Sequence, residues 1–147
     1  MKKEKILNYC MEQQESYRDT FGVVSKLEMK KVYRITYAYN YYLKDPSGNF
    51  AKVIRHNTVI GQVIAFNSES VRIKVVAADK GIRAWGREQE LSDERDSRNK
   101  RQDTLYIKYR LLVLDGCDII PVDKDELITN VGCKFIHKDF SKHLEAA

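Results

Sequence analysis

Paired cysteines, long apolar runs and catalytic signatures are what this sequence lacks, and each absence excludes something. Its three cysteines (Cys10, Cys117 and Cys133) are an odd number with no tight pair among them. They suit a reducing compartment, where a buried thiol serves as a small hydrophobe, rather than a disulfide framework. No apolar run approaches the ~18 residues of a membrane-spanning helix. The basic N-terminus has its apolar stretch interrupted by Asn8 and Glu12, too early for a secretory signal. The expected location is the cytoplasm, with no membrane partner.

Chemistry-bearing patterns are equally sparse. There is no Walker loop, no Gly-x-Gly-x-x-Gly and no Gly-x-Ser-x-Gly, so no cofactor or nucleophile is implied. Cys117, Cys133, His137 and His143 have residue types that suit zinc, but structural zinc sites usually carry a tight cysteine pair. Two core cysteines and surface histidines are the expected arrangement, with no metal. Asp19 and Glu28-Met29-Lys30 fit a nuclease pattern that arises by chance in charged chains. Asp93, Glu94 and Asp96 alternate with arginines and read as a solvated face, and His56 reads as a surface histidine rather than a general base.

What the chain does contain is globular. Its 147 residues, 43% hydrophobic and 32% charged, fit one domain over 1–147 with enough interior to need no cross-links. The net charge of +5 is uneven. Residues 1–78 carry 13 basic and 7 acidic side chains, and within them 26–56 carry 7 against 2. A local surplus of that kind attracts anionic partners.

Periodicity supplies the fold class. Residues 2–19 read as an amphipathic helix with Ile6, Leu7, Cys10, Met11 and Tyr17 on its apolar side, ending before Phe21-Gly22 and packing across a sheet. From 31 to 43, Tyr33, Ile35, Tyr37, Tyr39, Tyr41 and Leu43 alternate with polar residues, which means a long strand with most of its tyrosines facing the core. Asp45-Pro46-Ser47-Gly48-Asn49 is turn chemistry, and Phe50–Arg55 returns as a hairpin. Thr58–Phe66 reads as a separate central strand in which Gly61 marks a bend, a bulge or a close backbone approach. The stretch 71–77 is a strand with one wet face. Together these predict a meander of four strands within 31–77.

Residues 79–103 read as a charged, mostly exposed excursion, with Glu88–Arg101 either a solvated helix of alternating charge or a mobile segment, and 87–103 should be the first internal segment cut by trypsin. Alternation resumes at Leu105, Ile107, Tyr109, Leu111 and Val113. Asp115-Gly116 then predicts a hairpin back through Ile119, Ile120 and Val122. Short helices are expected at 124–128 and 138–145, with a last strand over 131–136. The predicted architecture is α+β: a strongly bent antiparallel sheet or partly open barrel of five to seven strands, an N-terminal helix (1–20), and a hairpin and short helices in 104–147.

Function rests on surfaces. Arg34, Arg72, Lys74, Lys108 and Arg110 occupy the non-core register of their strands, and Lys30, Lys31, Lys52 and Arg55 would extend the same positive stripe. Such a stripe tracks a phosphate backbone, although basic residues also keep a solvent face soluble. Trp85 sits between Arg83 and Arg87 in a glycine-bracketed loop and is either a stacking residue or an anchor for that loop. The leading expectation is a non-catalytic module that binds nucleic acid through the basic sheet face and the Trp85 loop. The alternative is a small adaptor or inhibitor of a host protein, of the kind phages and other mobile elements encode against nucleic-acid machinery. An enzyme is the third reading.

Overall fold

The structure, a computed structural model, describes residues 2–13, 18–79, 104–123 and 135–136. Helix α1 (Lys3–Gln13) and helix α2 (Arg18–Lys26) precede strands β1 (Val32–Lys44), β2 (Phe50–Phe66) and β3 (Ser70–Ala78). Strand β4 (Thr104–Lys108), a 3-10 turn (Tyr109–Leu111), β5 (Asp118–Pro121) and β6 (Phe135–Ile136) follow. The sheet is antiparallel, in the order β4-β3-β2-β1-β5, with β6 pairing the far end of β3. Its edges do not meet among the described residues, so the sheet is open rather than closed into a barrel.

The expected single helix is two. Ile6 and Cys10 of α1 are buried as predicted, but Met11 is exposed. Gly22 lies inside α2 rather than ending a helix, and Val23, Val24 and Leu27 bury the next turn. Tertiary burial of that apolar turn offsets the ~1 kcal/mol a mid-helix glycine costs. Both helices contribute to one core with Tyr33, Ile35, Val59, Val63, Phe66, Val71, Ile73, Val75 and Ile107 of the sheet. Each such aliphatic side chain contributes about 1.5–3 kcal/mol on full burial.

The meander has three strands, not four, because Phe50–Arg55 and Thr58–Phe66 are one uninterrupted β2. Asn57 is a turn-favouring type, but it and His56 pair with Tyr37 and Ala38 without a break, and the Asn57 amide donates to the Tyr37 hydroxyl. Gly61 is where the β2–β3 register shifts. A Cβ there would collide with Ile73 Cγ2 and lie 2.6 Å from the Lys74 carbonyl oxygen, so the glycine permits a close backbone approach.

The predicted 105–122 hairpin does not form. Strand β4 stops at Lys108 because the chain turns inward at Tyr109. Its amide donates to the Glu69 carbonyl at 3.0 Å and its hydroxyl to the Asn67 carbonyl at 2.7 Å. The chain then crosses to the opposite edge, where β5 pairs with β1 through Arg34–Ile120 and Ile35–Ile119. Asp115-Gly116 is a turn as predicted, with Gly116 at φ +85°, but it feeds β5 into that distant edge. The excursion, the helices expected at 124–128 and 138–145, and most of the 131–136 strand lie outside the described residues.

Candidate binding surface and arm

Directly opposed residues of an antiparallel pair share a face. The side of the sheet away from the helices therefore carries Arg34, Thr36 and Ala38 on β1, Thr58, Ile60 and Gln62 on β2, Arg72 and Lys74 on β3, and Thr104, Tyr106 and Lys108 on β4. The middle of this face is not open. Val32, Ile60, Val76 and Ala77 are buried there with Val122 packed against them, and Gln62 is buried, donating to the Lys30 carbonyl at 2.8 Å.

That buried middle divides the basic residues. Arg34 stands half-buried on β1, two strands away from β3. Arg72, Lys74 and Lys108 gather on β3 and β4 around Tyr106, which is 58% exposed. The Arg72 guanidinium carbon lies 5.6 Å from the Tyr106 ring centroid. Its Nε is buried and has no hydrogen-bond partner among the described residues. Neither β3 nor β4 contains a carboxylate. Arg110 is exposed on the 3-10 turn rather than on a strand.

Lys30 and Lys31 occupy the turn into β1. Lys30 has φ 64°, a conformation uncommon outside glycine, and is fixed by its amide donating to the Val63 carbonyl at 2.8 Å. Lys31 Nζ pairs with Glu28 at 3.0 Å on the surface, which lowers the Glu28 carboxyl and raises the lysine. Glu28 is thus engaged in a turn and not on a sheet.

Lys52 and Arg55 lie on the second feature, which the alternation alone does not reveal. From Tyr37 and Asn57 outward, eight residue pairs of β1 and β2 touch no other strand among the described residues, since β5 reaches only to Thr36 and β3 only to Val59. At ~3.4 Å per residue this two-stranded arm extends roughly 25 Å. Its root is braced on both faces. Asn57 donates to the Tyr37 hydroxyl at 3.3 Å, and the Tyr37 ring lies 6.3 Å from that of Tyr39. On the other face His56 Nε2 meets the Asp115 carbonyl at 2.8 Å. Burial raises the Tyr37 phenol, opposed by the Asn57 hydrogen bond.

Beyond the root every residue from Asn40 to Lys52 is exposed. Only Tyr33 of the expected core tyrosines on β1 is buried; Tyr37 and Tyr39 are half-buried and Tyr41 is exposed. Among the described residues no strand flanks the outer half, since β5 and β3 stop at the root. One arm face carries Tyr39, Tyr41, Leu43, Ala51, Val53 and Arg55, with the Arg55 guanidinium 3.8 Å over the Tyr41 ring. The other carries Asn40, Tyr42, Lys44, Phe50, Lys52 and Ile54. At the tip the Asp45 carboxylate accepts from Ser47 Oγ at 2.6 Å and the Asn49 amide at 2.9 Å, and Gly48 sits at φ +90°. Those hydrogen bonds, the Ser47 one foremost, hold the carboxyl below its usual range.

Two open grooves elsewhere gather no convergent set of reactive groups. One of about 460 Å³ runs between α2 and the 112–119 crossing, past Asp19, Lys26 and Cys117. Another of about 680 Å³ runs past Lys2, Lys3, Glu28 and Met29. Burial raises the Cys117 thiol, and Cys10 and Cys117 are both free. No group of three histidine, cysteine or acidic side chains is placed to hold a metal among the described residues. None of the described helices is long and apolar enough to cross a membrane. Arg83, Trp85, Arg87, Cys133, His137 and His143 lie outside the described residues.

Tyr106 follows from the strand period: the alternation that sends Ile107 inward sends it outward beside Lys108. The arm had no such signal. Comparison of the chain with protein-family models, curated proteins and solved structures finds no match.

Proposed function

We propose that this chain is a non-catalytic nucleic-acid-binding module that works through the sheet face opposite its helices. The observation that carries this reading is the cluster of Arg72, Lys74 and Lys108 around the exposed Tyr106 ring, on two strands without a carboxylate. Cations neutralise phosphates, while an exposed ring offers a base a stacking surface. The basic arm extends the same face. The free thiols of Cys10 and Cys117 fit the cytoplasm.

Titration against random DNA and RNA at low and moderate salt tests the reading. Affinity should fall steeply with salt, and replacing both Arg72 and Lys74 with Ala should weaken binding to every sequence and flatten the slope. Tyr106→Ala should instead cost about 1–3 kcal/mol for single strands with the slope nearly unchanged. Trp85→Ala provides the same test for the loop holding Arg83 and Arg87, whose part in the reading stands on the sequence alone.

One observation favours the adaptor reading. Arg55 stacked on Tyr41, beside Leu43 and Val53, assembles the residue types that anchor protein interfaces. An adaptor would show no nucleic-acid affinity even at low salt and would form a stable complex with a host protein through this arm.

A further inference from the structure

The arm has two faces of different character, and the difference specifies what it meets. On the Tyr41 face the guanidinium is already engaged by a ring, Val53 is half-buried, and Tyr41 and Leu43 are 40% and 42% exposed. On the opposite face Tyr42 is 59%, Ile54 53% and Phe50 67% exposed. Its cross-strand pairs run Asn40–Ile54, Tyr42–Lys52 and Lys44–Phe50, so a hydrogen-bonding side chain lies beside an apolar one at every step. Those are the types that read base edges: amides on adenine, ammonium groups on guanine, and apolar groups against the thymine methyl. By register this face lies on the same side of the sheet as Arg34 and the Arg72–Tyr106 cluster, with the buried middle between those two.

Resting on the nucleic-acid reading, we infer that the arm seats in the major groove of B-form DNA with its Tyr42–Phe50 face toward the bases. Shape supports this occupant. Two strands ~4.8 Å apart with side chains on both faces fit a groove ~12 Å wide, whereas the deep, narrow groove of an RNA duplex admits no such ribbon. An arm of roughly 25 Å follows most of one helical turn, whose length is ~34 Å. Charge agrees: residues 40–55 hold Lys44, Lys52 and Arg55 against the single carboxylate of Asp45, which is tied into its own turn. With the arm in the groove, Arg72, Lys74 and Lys108 are left for the phosphates.

The test uses the full chain at low salt against a labelled 20-base-pair DNA duplex, the matching RNA duplex and one isolated DNA strand. Two arm variants are compared with wild type. One replaces Phe50 and Lys52 with Ser, both fully outside the core. The other joins Tyr39 to Arg55, a directly opposed pair, through a short Asn-Gly hairpin. Both should weaken duplex DNA binding about tenfold or more, a loss of ~1.4 kcal/mol or more, and weaken single-strand binding by a smaller factor, that of the lost cations alone. Methyl green, which occupies the major groove, should displace the protein, and the minor-groove ligand netropsin should not. Duplex affinity unchanged in the Phe50/Lys52 variant overturns the inference even if the shortened arm fails to fold. Displacement by netropsin alone, or RNA duplex bound as tightly as DNA, overturns it as well. In all three of these results wild-type binding persists, so the broader reading survives. Wild type that binds no nucleic acid, and instead holds a protein through the arm, overturns both.

Discussion

Strands β1 and β2 run together for thirteen residue pairs, yet the two halves of that ribbon live in different solvents. The inner pairs have β3 on one side, β5 on the other and two helices above, and Ile35 and Val59 are completely buried. The outer eight pairs have no flanking strand among the described residues, and Tyr41, Tyr42, Leu43, Phe50 and Ile54 are exposed. The alternation is the same in both halves. What differs is company, and an isolated two-stranded ribbon is only marginally stable in water. Apolar side chains exposed on both faces of such a ribbon add little to the fold, which is the ground for proposing that a partner covers them.

The sharpest way to break this division is a pair of matched truncations on the same hairpin. Ile35→Ala should cost about 2–5 kcal/mol in urea unfolding, because it empties a close-packed site. Ile54→Ala should stay within about 0.5 kcal/mol, because it removes surface contact only. Comparable losses from the two would mean the arm is packed against the body, and the distinction would collapse. A smaller effect separates two glycines. Gly61→Ala should destabilise by about 1–3 kcal/mol, since the added Cβ meets the Lys74 backbone, which cannot move without disturbing the β2–β3 ladder. Gly22→Ala, with nothing within 4 Å, should stabilise by about 0.5–1 kcal/mol through helix propensity. The smallest effect belongs to the tip. A carboxyl depressed in the folded state supports its turn above its ordinary value of 3.8 and loses that support as pH falls through its lower folded value. Hydrogen exchange at the Asn49 amide, which donates to Asp45, should thus lose protection below pH 3.8 while Tyr109, donating to the Glu69 carbonyl, keeps its own. Equal loss at both would show that acid unfolds the whole chain rather than loosening the arm.

Local chemistry made much of the molecule readable in advance. The strand character of 31–43 and 71–77, the Asp45–Asn49 turn, an irregularity at Gly61 and the outward register of Arg72, Lys74 and Lys108 each follow from a few consecutive residues. Misreadings arose wherever the outcome depended on a distant segment. Leu111 and Val113 continue the alternation of Ile107, but the cavity that takes the Tyr109 ring and the Asn67 carbonyl that takes its hydroxyl turn the chain away. Tyr37, Tyr39 and Tyr41 carry the same pattern as Tyr33, yet whether a patterned face is covered depends on which elements reach it.

By itself, then, the sequence determined the period of each strand, the turns, and the sign of charge on each face, because these depend on backbone preference and side-chain alternation within a few residues. Only the tertiary structure decided that β5 lies at the edge opposite β4, that Val32, Ile60, Val76 and Ala77 close the middle of the basic face, and that eight pairs of β1 and β2 leave the sheet as an arm. Those choices are made by non-local pairing and burial, in which segments far apart in the chain compete for the same surface.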